Sequence, residues 1–305
     1  MDMNFSIGNA ADITVNYILD NFTPALDMIA AVIGFVTGSI QGGLLAVPAV
    51  AGIAILTLLS LWRVGWKFAI FTALALALVN HMGLWSGTME SLSLVLAATF
   101  IAIVIGIPLG IAMARSEMLA SFIRPVLDLM QTMPAFVYLI PAAMFFGLGA
   151  VPGTIATVIF AMPPVVRLTN LGIRQVHGEF VEAGLAFGCT ARQLLFKVQL
   201  PNALPSIMTG INQTIMLSLS MVVIASMIGA GGLGNTVLTG IQRLDVGTGF
   251  EGGLAVVILA VVLDRITQSF GQSGMSQPSL FKRLTALRKQ SGGSTQTTSL
   301  RKQEA

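Results

Sequence analysis

The sequence contains one cysteine, Cys189, which excludes a disulfide closed within the chain and fits a reducing compartment. Charge is scarce as well. Charged residues make up 10% of the 305 residues against 55% apolar ones, and a mean hydropathy of +0.85 excludes a water-soluble domain, whose surface would carry far more charge. No Gly-x-x-x-x-Gly-Lys-Ser/Thr run occurs, so this chain has no phosphate loop of that kind for holding ATP. His81 and His177 are isolated, which leaves no His/Cys cluster for a metal and no base beside a nucleophile. Both read as solvated loop residues. Asp2, Asn4, Asn9, Asp12 and Asn16 precede the first apolar run without any Lys or Arg, so the charged start of a signal peptide is missing and this segment is expected to stay attached.

What the chain does have is long unbroken apolar runs. These exclude a closed β-barrel, whose strands of about ten residues would alternate apolar and polar, and they predict an all-α, polytopic membrane helix bundle. About seven transmembrane helices are expected, near 45–62, 68–84, 92–114, 134–150, 153–170, 206–229 and 250–270, each close to the roughly 20 residues a bilayer core requires. Pro163-Pro164 is expected to break the fifth. Residues 22–40 are interrupted by Pro24, Asp27, Gly34 and Gly38 and read as an amphipathic helix at the membrane surface within an extracytoplasmic segment 1–44, an additional span being the alternative. Inside the expected spans no acidic residue appears before Asp264, which argues against a proton- or sodium-driven carrier. Residues 271–305 are rich in Ser, Gln, Thr and Gly, carry Lys282, Arg283, Arg288, Lys289, Arg301 and Lys302, and are expected to be a disordered basic tail that either touches anionic lipid or merely anchors.

The basic residues orient this bundle. With the N-terminus outside and the C-terminus in the cytoplasm, Arg63, Lys67, Arg115, Arg124, Arg167, Arg174, Arg192, Lys197, Arg265 and the tail all face the cytoplasm, and only Arg243 falls outside. The same orientation puts the polar break 171–205 in the cytoplasm. Within it stand Glu182-Ala183-Gly184, three residues, Gly188, nine residues, then Val198-Gln199-Leu200-Pro201. Ala183 and Leu185 to Phe187 favour a helix, Gly188 permits a turn, and Ala191 to Val198 favour a second helix that Pro201 is expected to stop.

This spacing resembles the coupling loop of ABC importer permeases, with Gly184 where Ala is usual and Val198 where Ile is usual. Gln131-Thr132-Met133-Pro134-Ala135-Phe136-Val137-Tyr138-Leu139-Ile140-Pro141, followed by Phe145-Phe146-Gly147-Leu148-Gly149, is similar to the fourth span of glycine betaine/L-proline importer permeases of the ProW type. Ile228-Gly229-Ala230-Gly231-Gly232-Leu233-Gly234 resembles the outer end of their sixth span. The resemblance implies an ABC type I importer permease fold, a homodimer in a bacterial inner membrane, a separate cytoplasmic ATPase carrying ATP and Mg, and a separate substrate-binding protein. No cofactor is expected on this chain. It also implies glycine betaine or proline betaine as cargo, in osmoprotection, with choline, carnitine or methionine as other candidates; the competing reading from a different class is an ion-coupled carrier, which would need charges inside the spans and no coupling loop.

Candidate residues for the path or gate are Met133, Pro134, Tyr138, Pro141, Ser218, Ser220, Gly229, Gly231 and Gly232. Prolines remove backbone donors, so in a membrane they mark bends facing protein or water. The glycines permit close approach or positive φ, or else simply end a helix. Tyr138 offers an aromatic face to a quaternary ammonium or serves packing, and the serines either meet cargo or bond their own backbone.

Overall fold

The computed structural model of the protein describes the backbone of residues 7–271 and the side chains of residues 13–270; the expected tail 271–305 therefore lies outside the described side chains. Among the described residues every regular element is helical. Five helices are long and apolar enough to cross a membrane, Ile13–Leu45, Trp85–Arg115, Ala150–Arg174, Ala191–Ser226 and Val246–Phe270, and a sixth is possible if one bent pair counts as a span.

The centre of the bundle is built by α4 (Trp85–Arg115), α8 (Pro163–Arg174) and α11 (Leu200–Ser226), which pack directly on one another. Small residues set their spacing, since between helices in lipid it is close backbone approach that holds them together. A Cβ on Gly110 of α4 would lie 2.7 Å from the Val166 carbonyl oxygen of α8, and one on Gly210 of α11 would lie 3.0 Å from Val165 Cα. Around this seam α3 (Trp66–His81) and α13 (Val246–Gly271) close a core in which Leu76, Val79, Val95, Leu259 and Val262 are fully buried. α12 (Leu233–Arg243) packs on α13 and α11.

The number and lengths of the spans differ from the expectation. The first two expected spans are α2 (Ala49–Arg63) and α3, with 15 and 16 residues, both short of the roughly 20 a perpendicular crossing needs. They form a helical hairpin against α13, tied by the Arg63 guanidinium, which lies 3.8 Å from the centroid of the Phe270 ring. The expected surface helix at 22–40 is part of one 39-residue helix, α1 (Ile7–Leu45), whose stretch 13–45 matches the additional-span alternative in length and composition. Pro24 lies inside it without ending it, and the hydroxyls of Thr23 and Thr37 donate back to the Leu19 and Ile33 carbonyls of the same helix. Of its glycines, Gly34 faces a neighbour, since a Cβ there would touch Val151 at 3.5 Å, whereas Gly38, Gly42 and Gly43 face open space.

The expected span at 134–150 is instead a bent pair, α5 (Glu117–Thr132) and α6 (Phe136–Phe146), at 101° to each other. Pro134 causes the bend by excluding Met133 from the helical region, and Met133 is extended at φ −73°, ψ 136°. The expected break at Pro163-Pro164 is slight. Those prolines open α8, where a missing N–H has no helical partner to lose, and Met162 still donates to the Val158 carbonyl of α7 (Ala150–Ala161) at 2.9 Å. Finally, α4 begins seven residues before its expected start, at Trp85 rather than 92, so an acidic residue, Glu90, does lie inside an apolar helix.

Candidate functional site

Polar residues separate α8 from the next apolar stretch, and there the chain makes a compact helical pair. α9 (Gly178–Ala186) ends through Phe187 into Gly188, whose φ of +77° is open to glycine and strained for other residues. The Cys189 amide donates back to the Gly184 carbonyl at 3.0 Å and closes the turn. α10 (Ala191–Leu194) then starts from a capping box, in which the Thr190 hydroxyl accepts from the Gln193 amide and the Gln193 side chain accepts from the Thr190 amide.

Pro201 does not stop this second helix, contrary to the sequence expectation. Residues Leu195–Gln199 widen into a π-helical turn, with the Leu200 amide donating to the Leu195 carbonyl, and the chain continues into α11 with Pro201 in its first turn. A π turn shifts the bonding by one residue, so the amide that proline lacks is not missed. One helical rod therefore runs from Ala191 to Ser226.

Of the residues picked for this loop, Glu182, Ala183, Gly188 and Pro201 are exposed, Val198 and Leu200 are half-buried, and Gly184 is buried. Gly184 faces Leu194 and Val198, so the helix pair closes across the position where Ala was the usual residue. Two apolar residues at the turn point outward: Leu185 is 56% and Phe187 90% exposed. The other face is held to the bundle. Arg115, the last residue of α4, donates to the Ala191 carbonyl at 3.3 Å, and Leu195 is buried with Ile173, Ala203 and Ile207. Arg174 bonds the Asn170 side chain, the Met113 carbonyl and the Glu117 carboxylate, locking α4, α5 and α8 beside the loop. A cleft of about 550 Å³ lies between, lined by Arg115, Arg174, Val181 and Gln199 among others.

The opposite end of α4 holds the glycine-rich loop. Gly229, Gly231 and Gly232 have φ of +83°, +79° and +75°. The Gly149 amide donates to the Ile228 carbonyl at 2.9 Å, bringing together two glycine-rich stretches that the sequence shows far apart. The Gly232 amide donates to Glu90 Oε2 and the Leu233 amide to Ser91 Oγ, each at 2.8 Å. Glu90 and Ser91 were not among the sequence candidates; the signal for Glu90 was a lone carboxylate at the edge of an apolar run. At the far end of α12, the Thr248 hydroxyl and amide hold the Asp245 carboxyl below the usual range.

The remaining path candidates divide. Met133 and Pro134 form the exposed bend between α5 and α6, and the Tyr138 hydroxyl donates to the Leu129 carbonyl across it at 3.2 Å. Pro141 lies within α6 without ending it. Ser218 is fully buried and donates to the Thr214 carbonyl, whereas Ser220 is exposed and donates to Met216. Ser218 thus faces packed protein rather than an open surface.

The sequence matches the family described as binding-protein-dependent transport system inner membrane component over residues 106–273, more than half of the chain. It is 48% identical over 264 residues to the glycine betaine/proline betaine transport system permease protein ProW of Escherichia coli (strain K12), covering 86% of this chain and 74% of that protein. The glycine betaine/carnitine transport permease protein GbuB of Listeria monocytogenes serotype 1/2a (strain 10403S) is 51% identical over 263 residues, 85% of this chain and 93% of that one. The glycine betaine transport system permease protein OpuAB of Bacillus subtilis (strain 168) is 46% identical over 263 residues, 86% and 93% of the two chains. Among solved structures, a chain of the MetNI methionine ABC transporter in an inward-facing conformation superposes with a TM-score of 0.54 at 23% identity, over 62% of this chain and 93% of that chain, a likeness of fold.

Proposed function

The chain belongs to the inner-membrane components of binding-protein-dependent transport systems, and we propose that it is the permease subunit of an ATP-driven importer of glycine betaine, proline betaine and related compatible solutes. It is a multi-pass membrane protein with the helical bundle of an ABC importer permease. The observation that carries the mechanism is the rod from Ala191 to Ser226: the exposed helix pair at one end is continuous with a central span at the other.

In this reading the ATPase docks on α9 and α10 from the cytoplasm, with Leu185, Phe187 and Glu182 at the contact. ATP and Mg are bound by that subunit. A loaded binding protein docks at the glycine-loop end, outside, where Gly229 to Gly234 form the gate. When ATP draws two ATPases together, each pushes one copy of this chain through its α10–α11 rod, and alternating access follows. Membrane lipid surrounds the pair of permeases. The basic residues gathered at the loop end support a reading with the N-terminus outside and the C-terminus in the cytoplasm. The names of the similar permeases support betaines as cargo, and that of the Listeria permease supports carnitine as a second reading.

The test of the substrate is a titration of the binding protein that partners this permease with glycine betaine, proline betaine, carnitine, choline and methionine. Saturable binding of the betaines is expected; binding of methionine alone would contradict the reading.

A further inference from the structure

We propose that Glu90 is a positioning residue of the transport cycle: its carboxylate clasps the Gly229–Gly234 loop to α4 and holds that end of the path shut until a loaded binding protein docks. The proposal rests on the reading of this loop as a gate.

Three observations carry it. Gly231 and Gly232 have φ of +79° and +75°, backbone that glycine adopts readily, and the N–H groups at this end of the loop turn toward Glu90 and Ser91 of α4. Those N–H groups precede α12, whose first turn has amides without acceptors inside the helix and so carries partial positive charge. A helix ordinarily meets this need with its own N-cap side chain. Here the cap is Gly232, which has none, and the acceptors come from a different helix 142 residues away: Glu90 Oε2 for the Gly232 amide and Ser91 Oγ for the Leu233 amide, both at 2.8 Å.

A cap supplied across helices behaves as a clasp. α12 cannot move away from α4 without uncapping itself, and both partners are lost together. The loop is also tied to the start of α7 through the Gly149–Ile228 bond, so its displacement reaches the neighbouring span. The fit is close: a Cβ on Gly232 would lie 2.5 Å from Ser91 Oγ, and one on Gly231 would lie 3.2 Å from Glu90 Oε2, both at a positive φ that side chains rarely adopt.

Glu90 has no other task among the described residues. It is half-buried in an apolar helix, it makes no ion pair with any described cation, and a carboxylate in such a place is unfavourable unless backbone donors satisfy it. A structural cap alone is ordinarily supplied by a Ser, Thr, Asp or Asn of the helix's own N-terminal segment. An acceptor on α4 instead makes the closed loop depend on where α4 stands, and α4 reaches the coupling loop through Arg115, roughly 37 Å further along at 1.5 Å per residue.

The experiment uses the complete transporter, permease with ATPase and binding protein, in nanodiscs, with Glu90→Ala, Glu90→Gln and Ser91→Ala. Amide exchange over residues 228–235 and ATPase activity with and without loaded binding protein are measured together. Glu90→Ala is expected to lose protection in this segment and to raise ATPase activity without binding protein on the order of ten-fold, the effect of removing a charge-assisted bond from a two-state equilibrium. Glu90→Gln keeps an acceptor oxygen and is expected to restore most of the protection and of the dependence on binding protein, a rescue that a merely destabilised fold would not show. Ser91→Ala should fall between them. Unchanged protection in Glu90→Ala overturns the clasp. Lost protection with unchanged ATPase activity overturns the gate reading on which the proposal rests, and with it the role in the cycle.

Discussion

Leu194 closes over Gly184: a Cβ built on that glycine would sit 2.7 Å from Leu194 Cδ1, so α9 and α10 meet at van der Waals distance through the one buried residue of α9. Because the obstacle is the end of a flexible side chain, Gly184→Ala is expected to be tolerated. Leu194 rotates aside, and the helix gains up to about 1 kcal/mol in propensity. Transport within about two-fold of the parent and a small rise in thermal stability are expected. Gly184→Leu has no such escape and should lose co-purification of the ATPase.

Gly188→Pro should leave the protein in the membrane and abolish coupling. Proline fixes φ near −65°, and this turn needs +77°. Glu182→Lys acts without changing the fold, by reversing the charge offered to the ATPase on an exposed face. ATPase pull-down and uptake check both; normal uptake with either would remove the coupling assignment.

Much of this loop was legible in the sequence. The helix favoured by Ala183 and Leu185, the turn at Gly188 and the restart after Thr190 all follow from local propensity and capping, which act over a few residues. Pro201 misled, because its usual effect on a helix interior was avoided by the π turn before it, and no local signal announces such a turn. Glu90 was missed for another reason. Its partner lies 142 residues away, and a carboxylate at the edge of an apolar run looks like the end of a span until the glycine loop is seen to pack there. The span count erred where length alone decided, as α2 and α3 are apolar but short.

Pro201→Ala probes the π turn itself. With the amide restored, Leu195–Gln199 can relax to an ordinary α-helix, which would rotate α10 by about 100° relative to α11, one residue's worth of turn. Membrane insertion should be unaffected and uptake should fall several-fold. Full uptake would show that the π turn has no part in coupling.

Cys189 reports the side of the membrane on which the loop lies. It is half-exposed and is the one cysteine of the sequence, so a thiol reagent that enters cells should label it and an impermeant reagent should not. After Cys189→Ser, a cysteine placed at Gly87, beside the glycine loop, should show the opposite pattern. Labelling of Cys189 by the impermeant reagent in intact cells would invert the orientation.

The central claim, that an external ATPase drives this chain through the α10–α11 rod, is tested most directly by uptake of labelled glycine betaine into proteoliposomes holding the permease and its ATPase, with binding protein added. Uptake that requires ATP and binding protein, survives collapse of proton and sodium gradients, and is lost in Gly188→Pro is the predicted result. Uptake that follows an ion gradient without ATP, or that persists in Gly188→Pro, would contradict it.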